Sequence, residues 1–197
     1  RSGNYSAFSG LKLVAGYPIV EGYKDYPAYG MRFEFSEPIG MYHSDITASY
    51  TPNRSLPEDQ RFHGAWNFNY MQWSLNARYN GADFYDLFGP TKSSRKGYSV
   101  GLGYEKYLIY DGLRQMTYNL RLTGYGDLER LPDYQNVSTT YDRFMTFDAR
   151  LSFKNLTASL GAVDYEKGYM WQLAYRGSYV VRNLHNLISG TFDLGIP

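Results

Sequence analysis

The chain has no cysteine, which excludes disulfide staples and thiolate metal sites while leaving its compartment open. It has no long apolar run either: Leu13 to Val20 is the best candidate, and Gly16 and Pro18 interrupt it well short of the roughly 18 residues of a spanning helix. Long amphipathic helices are missing. So is an excess of one charge, since 20 Lys and Arg face 19 Asp and Glu for a formal net charge of +1. Nucleic acid, whose phosphates require a strongly basic face, is therefore not an expected partner. The opening Arg1-Ser2-Gly3-Asn4 carries no charged-then-apolar leader, so any export signal is removed or lies upstream.

What the chain does have is aromatic residues and alternation. Its 22 Tyr, 11 Phe and 20 Gly among 197 residues are strand formers and tight-turn residues. From Phe144 to Lys154, Met145, Phe147, Ala149, Leu151 and Phe153 point one way while Thr146, Asp148, Arg150, Ser152 and Lys154 point the other. The same period recurs along the chain. Strands are expected over Leu11 to Val20, Ala28 to Ser36, Tyr42 to Thr51, Phe62 to Tyr70, Trp73 to Tyr79, Tyr98 to Tyr107, Gln115 to Gly124, Phe144 to Lys154, Leu156 to Val163, Tyr169 to Val181 and Leu187 to Ile196. Short reversals are expected at Glu37-Pro38-Ile39-Gly40, Met71-Gln72, Asp111-Gly112, Lys154-Asn155 and Glu166 to Gly168, the Asp-Gly pair being a strong hairpin signal. Longer connections are expected over Glu21 to Tyr26, Pro52 to Gln60, Gly81 to Arg95 and Gly126 to Asp142.

The fold class that follows is all-β, an antiparallel up-and-down transmembrane β-barrel spanning residues 1–197 as one domain. Strands of about ten residues suit a thin apolar band, and loops that alternate long and short suit long external loops and short periplasmic turns. A mean hydropathy of −0.50 does not oppose this, because half of each strand faces a wet lumen. Tyr50, Tyr70, Tyr79, Tyr98 and Tyr107 near strand ends would form the interfacial girdles. About eleven strands are visible, and an even number is the rule, so either a twelfth lies near Tyr5 to Ser9 or the chain is a portion of a larger barrel. The ending Phe192-Asp193-Leu194-Gly195-Ile196-Pro197 favours truncation. A soluble β-sandwich or lipocalin-like barrel shows the same period with its oily face packed inward.

The run from Tyr79 to Tyr98, Y-N-G-A-D-F-Y-D-L-F-G-P-T-K-S-S-R-K-G-Y, resembles a segment of large bacterial envelope proteins that join an N-terminal Tol-type β-propeller to a C-terminal barrel. That barrel is similar to the surface-antigen barrels of the outer-membrane assembly superfamily. The resemblance implies a sixteen-strand barrel, of which this chain would be a portion without its propeller and closing strands. The lid-loop motif of the assembly barrels is not seen, so an insertase or secretion role is not implied.

Other motifs carry little chemistry. Gly101-Leu102-Gly103 lies inside a strand with no helix after it, so it reads as glycines relieving crowding and not as a nucleotide loop. Gly89-Pro90-Thr91-Lys92 lacks phosphate-loop spacing. His43, His63 and His185 are scattered, and no triad or His-carboxylate geometry follows from their positions. Asp83 with Asp86, or Asp127 with Glu129, offer oxygen ligands for Ca²⁺ but read as solvated loop acids. No cofactor, catalytic group or metal site is expected. The informative set is Arg32, Glu34, Arg78, Glu105, Arg121, Asp148, Arg150 and Arg176 on the polar faces, expected to face a lumen as an ion-pair network or a pore lining. Phe84, Tyr85 and Phe88 in the surface loop are expected to fold over the mouth. The reading is a non-enzymatic outer-membrane barrel of a Gram-negative envelope, in contact with lipid, that anchors or passes a periplasmic domain or protein. Its rivals are a porin-like transport pore and a soluble β-barrel holding an apolar ligand.

Overall fold

Alternation is realised as an all-β fold, with ten long strands and one two-residue strand among the described residues. These are β1 (Lys12–Tyr23), β2 (Tyr26–Ser36), β3 (Tyr42–Tyr50), β4 (Phe62–Tyr70), β5 (Trp73–Gly81), the short β6 (Asp83–Phe84), β7 (Arg95–Asp111), β8 (Arg114–Gly126), β9 (Phe144–Thr157), β10 (Lys167–Val180) and β11 (Asn183–Gly195). The computed structural model describes residues 10–84, 95–129, 142–157, 167–180 and 183–195, with only the backbone described at 83, 84, 95, 183–186, 188 and 192–195. The strands follow an up-and-down order, β11-β10-β9-β8-β7-β5-β4-β3-β2-β1-β6. The described chain forms two compact units, residues 1–102 with 124–144 and residues 103–123 with 145–197.

In the first unit, β1 to β5 form a meander in which each strand pairs antiparallel with the next. The long connection expected over Glu21 to Tyr26 is not there. Glu21 and Gly22 are strand residues opposite Ala28 and Pro27, and the reversal is Lys24-Asp25 alone, with Lys24 in the left-handed region at φ 52°. Glu21 is polar because it faces the polar side, where it accepts a 2.6 Å hydrogen bond from Ser49 Oγ. The first connection is therefore short, and loop lengths do not alternate strictly. The reversal at Met71-Gln72 is found, with Met71 at φ 49°.

The meander is strongly curled at the end where the longer loops emerge. Gly81 ends β5, yet Asp83, two residues on, pairs with Gly22 of β1. Two residues of chain reach about 7 Å, whereas five flat strands at about 4.8 Å spacing would hold their outer members about 19 Å apart. The expected Gly81 to Arg95 loop thus includes β6, and Arg95 already belongs to β7. Gly30 sits inside this curl, where a Cβ would collide with the Ala48 carbonyl and with Ser49.

Curling puts the polar face inward. Among the described residues ten polar ones are buried, including Asp45, Thr47, Ser49, Thr51, His63 and Asn80, against five apolar ones, Tyr23, Ala28, Tyr42, Leu56 and Val180. The opposite face is exposed and oily: Tyr29 is 55% exposed, Ile46 42% and Trp66 40%. Two aromatic rows border it, Tyr29, Tyr50 and Phe62 in register at the loop end and Tyr42, Tyr70 and Trp73 at the other. Tyr42 stacks on Tyr70 with ring centroids 4.4 Å apart. From Tyr42 to Tyr50 a strand advances about 26 Å, or about 20 Å along an axis tilted by roughly 40°. The indole N–H of Trp66, between the rows, donates to Ser44 Oγ at 2.9 Å and so carries no bare donor on the oily face.

The second unit has the same two-faced construction. The β9–β10 ladder runs from Met145 opposite Tyr179 to Thr157 opposite Lys167, and β10–β11 from Gly168 opposite Gly195 to Val180 opposite Asn183. The Lys154-Asn155 reversal and the separate Leu156 to Val163 strand are corrected here. Lys154, Asn155, Leu156 and Thr157 continue β9, and residues 158–163 lie outside the described ones. The Glu166 to Gly168 turn is likewise overturned for Lys167 and Gly168, which start β10. Gly168 has φ 120°, and its role is close approach, since a Cβ there would strike the Asn155 carbonyl. Among the described residues the long strands thus number ten where eleven are expected. Phe153 stacks near Trp171 at 5.9 Å and Phe147 near Tyr175 at 6.1 Å on the oily face. The β7–β8 hairpin turns at Gly112-Leu113 and is clasped by Arg114 on Asp111.

Candidate functional site

Strand register arranges the polar face of the first unit in rows. One row reads Tyr17, Arg32, Thr47, Ala65 and Arg78, and the next Ala15, Glu34, Asp45, Asn67 and Asn76. Tyr17 Oη donates to Glu34 Oε1 at 2.7 Å, and Asn67 Nδ2 donates to Asp45 Oδ2 at 2.8 Å. Arg32 lies between the two acids, with Nη2 3.4 Å from Asp45 Oδ2 and Nε 3.5 Å from Glu34 Oε1, although Nε itself makes no hydrogen bond. His43 Nε2 is 3.9 Å from the second Asp45 oxygen. Small side chains at Thr47 and Ala65 leave a hollow of about 340 Å³ above them, reached by Arg32 and Arg78.

A second, drier cluster closes the curled end of this unit. Tyr23 and Thr51 are 0% exposed, and His63 and Asn80 are each 1%. His63 Nδ1 is 2.8 Å from the Asn80 carbonyl, which can only accept, so the ring proton sits on Nδ1 and in the neutral ring Nε2 accepts from Thr51 Oγ1 at 2.9 Å. Asn80 Nδ2 donates to the Asp59 carbonyl at 2.7 Å and the Phe62 carbonyl at 3.1 Å, while Oδ1 accepts from the Gly97 amide at 3.1 Å. Its φ of 44° is one that Asn tolerates better than most residues. Tyr23 lies against His63 at 4.4 Å between ring centroids, and Lys24 Nζ donates to Gln60 Oε1 at 2.9 Å. At the rim, Lys24 pairs with Glu129 at 2.8 Å, and Lys96 pairs with Asp59 at 3.4 Å and Asp127 at 3.7 Å. The Thr51–His63 pair resembles a hydroxyl beside a base, but both side chains are buried and held by neighbouring backbone, so it serves as a cross-strand fastening.

In the second unit, Arg176 Nε donates to Asp148 Oδ1 at 2.5 Å across the β9–β10 ladder. Asn119 Nδ2 donates to Glu105 Oε2 at 2.9 Å, and Ser152 Oγ to Gln172 Oε1 at 3.4 Å. Arg121, Arg150 and Arg176 line a hollow of about 360 Å³ with Asn119, Asp148 and Gln172.

The eight polar-face residues singled out in the sequence fall into two groups. Arg32, Glu34 and Arg78 belong to the first unit, with Arg32 and Glu34 paired; Glu105, Arg121, Asp148, Arg150 and Arg176 belong to the second, with Asp148 and Arg176 paired. Of the loop aromatics, Phe84 is placed by its backbone in β6, and Tyr85 and Phe88 lie outside the described residues, as does Asp86. Sequence reasoning missed Asp45, the hub of the first network, and the His63–Thr51–Asn80 fastening. The signal for Asp45 was its two-residue spacing from Thr47 and Ser49 on one face; His63 and Asn80 gave no signal, because their meeting depends on register. Among the described residues no group of three or more His, Asp or Glu is placed to hold a metal ion. Comparison with protein-family models, characterised proteins and solved structures finds no match.

Proposed function

We propose that the chain is membrane-crossing β-barrel structure of an outer-membrane protein, its oily face against lipid and its polar face inward, serving as anchor or passage for a periplasmic domain or partner. The observation that carries this reading is the inversion of burial. Asp45, Thr47, Ser49 and His63 are buried while Met31, Ile46, Trp66, Val100 and Leu173 are exposed. A soluble protein with so broad an apolar surface would associate or precipitate, whereas lipid covers it without cost. The aromatic rows lie about 20 Å apart along a tilted axis, close to the height of an outer-membrane apolar band. The resemblance of residues 79–98 to barrel-bearing envelope proteins agrees with this. Closure into a barrel, by these strands or with others, belongs to the proposal: the outer side of β11 and that of β1 below Glu21 carry no partner strand among the described residues. Anchoring is favoured over an open pore by the buried fastening of Tyr23, His63 and Asn80 at the curled end of the first unit.

The test is expression with an export signal, followed by membrane fractionation and an unheated gel. Recovery in outer membranes with heat-modifiable migration supports the reading. A monodisperse protein purified without detergent overturns it and favours a soluble ligand-binding barrel.

A further inference from the structure

The hollow in the second unit carries positive charge that the acid lining it does not neutralise, since Arg121, Arg150 and Arg176 stand there against Asp148 alone. Asp148 is taken by Arg176, its register partner, at 2.5 Å, while Glu105 on β7, which accepts from Asn119 at 2.9 Å, is not among the residues lining the hollow. Arg121 of β8 and Arg150 of β9 line the same hollow of about 360 Å³, and among the described residues neither makes a hydrogen bond or an ion pair. The contrast with Arg32 in the first unit is direct, since that guanidinium lies between two carboxylates. Space in front of Arg150 comes from register: Ala174 is opposite it on β10, and Ser189 is opposite Ala174 on β11. Gln172 and Ser189 add neutral donors to the rim.

Two guanidinium groups facing one hollow repel each other, and each presents a planar fork of N–H donors that matches two oxygens of an oxyanion. Two unmatched positive charges suit a dianion better than a monoanion. We propose that this hollow binds a phosphate group, free or carried on a small polar molecule, with Arg121 and Arg150 on its oxygens and Asp148 holding Arg176 to one side. The site stands on the second unit alone. A chain that binds phosphate yet stays out of membranes keeps this site and loses the membrane reading.

The experiment is calorimetric titration of the folded full chain in zwitterionic detergent, at fixed ionic strength, with inorganic phosphate, glycerol 3-phosphate, acetate and chloride. Saturable binding of phosphate, with acetate and chloride at least tenfold weaker, is expected. Tighter binding of glycerol 3-phosphate would mark the site as one for a carried phosphate, and equal binding as one for the free ion. Arg150→Gln and Arg121→Gln should each weaken binding roughly tenfold or more, while Arg54→Gln, which removes one positive charge from the 51–61 loop, should change nothing. Absence of saturable binding in the wild-type chain overturns the proposal. So does unchanged affinity in both arginine variants; if one of them fails to fold, as judged by heat-modifiable migration, the other and the wild-type titration decide.

Discussion

Asn80→Ala is the perturbation that most directly tests the fastening of the curled end. The side chain satisfies three backbone groups, the Asp59 and Phe62 carbonyls and the Gly97 amide, at 2.7, 3.1 and 3.1 Å, in a position 1% exposed. Water cannot take over these bonds without opening the end. A buried polar group left unsatisfied costs about 1–3 kcal/mol; the Gly97 N–H bears the full penalty, while the carbonyls lose less because each has a second lone pair. Alanine at φ 44° adds about 1 kcal/mol of left-handed strain. The sum is a loss of about 3–5 kcal/mol. Asn80→Gly removes the same bonds without the strain and should be about 1 kcal/mol less damaging than alanine. Reversible urea unfolding of the refolded chain, followed by tryptophan fluorescence, measures both. An alanine variant within about 1 kcal/mol of wild type would refute the fastening, and a glycine variant no better than alanine would refute the backbone part of the argument.

Asp45→Ala removes the acid that Arg32 and Asn67 share, and because Arg32 is 38% exposed the expected loss is about 2 kcal/mol rather than that of a fully buried pair; Asp45→Asn, which still accepts from Asn67, should lose less in the same titration. Gly30→Ala should cost more than about 2 kcal/mol, since its Cβ would strike the Ala48 carbonyl and Ser49, whereas Gly64→Ala, with nothing nearer than 3.7 Å, should be close to neutral. Equal effects at the two glycines would refute the inward curl. For folding into bilayers, Ile46→Arg on the exposed oily face should cost about 2–4 kcal/mol, and Ala15→Arg, on the polar face opposite Glu34, less than about 1 kcal/mol. Comparable penalties at both positions would sink the assignment of the faces to lipid and lumen.

Strand existence was legible because it depends on period alone: Phe62 to Tyr70 and the Met71-Gln72 reversal stand where alternation and turn residues put them. Errors came where polar residues served the fold instead of a loop. Glu21 was read as part of a connection because it is charged, yet it lies in β1 and crosses the curl to Ser49. Lys154-Asn155 was read as a turn for the same reason, yet both residues are paired with β10. The site was legible in part for a related reason. Face membership follows from period two, so Arg32, Glu34, Asp148 and Arg176 were identified, but the partner across the ladder depends on register, which no local pattern contains. Hence Asp45 and the meeting of His63, Thr51 and Asn80 were not seen.

Alternation cannot say which face is inside, but side-chain size can. In a sheet curled as tightly as β1 to β5, the inner surface is shorter than the outer, so inward side chains have less room than outward ones. Small residues lie on both faces, but Gly30 on the polar face has no room for a Cβ, which would strike the Ala48 carbonyl and Ser49, whereas Gly64 on the oily face has nothing nearer than 3.7 Å, and that face carries the bulky Tyr29, Phe33, Tyr50, Trp66, Phe68 and Tyr79. Gly101 follows the same rule, since a Cβ there would come within 2.5 Å of the polar-face Asn76 Oδ1. A soluble barrel built around the oily face would need the opposite distribution, with its bulky rings on the crowded inner surface and its small residues outside. The lack of room beside the polar-face glycines, set against the bulky rings of the other face, therefore argues, from volume and independently of hydropathy, that the polar face is the concave one.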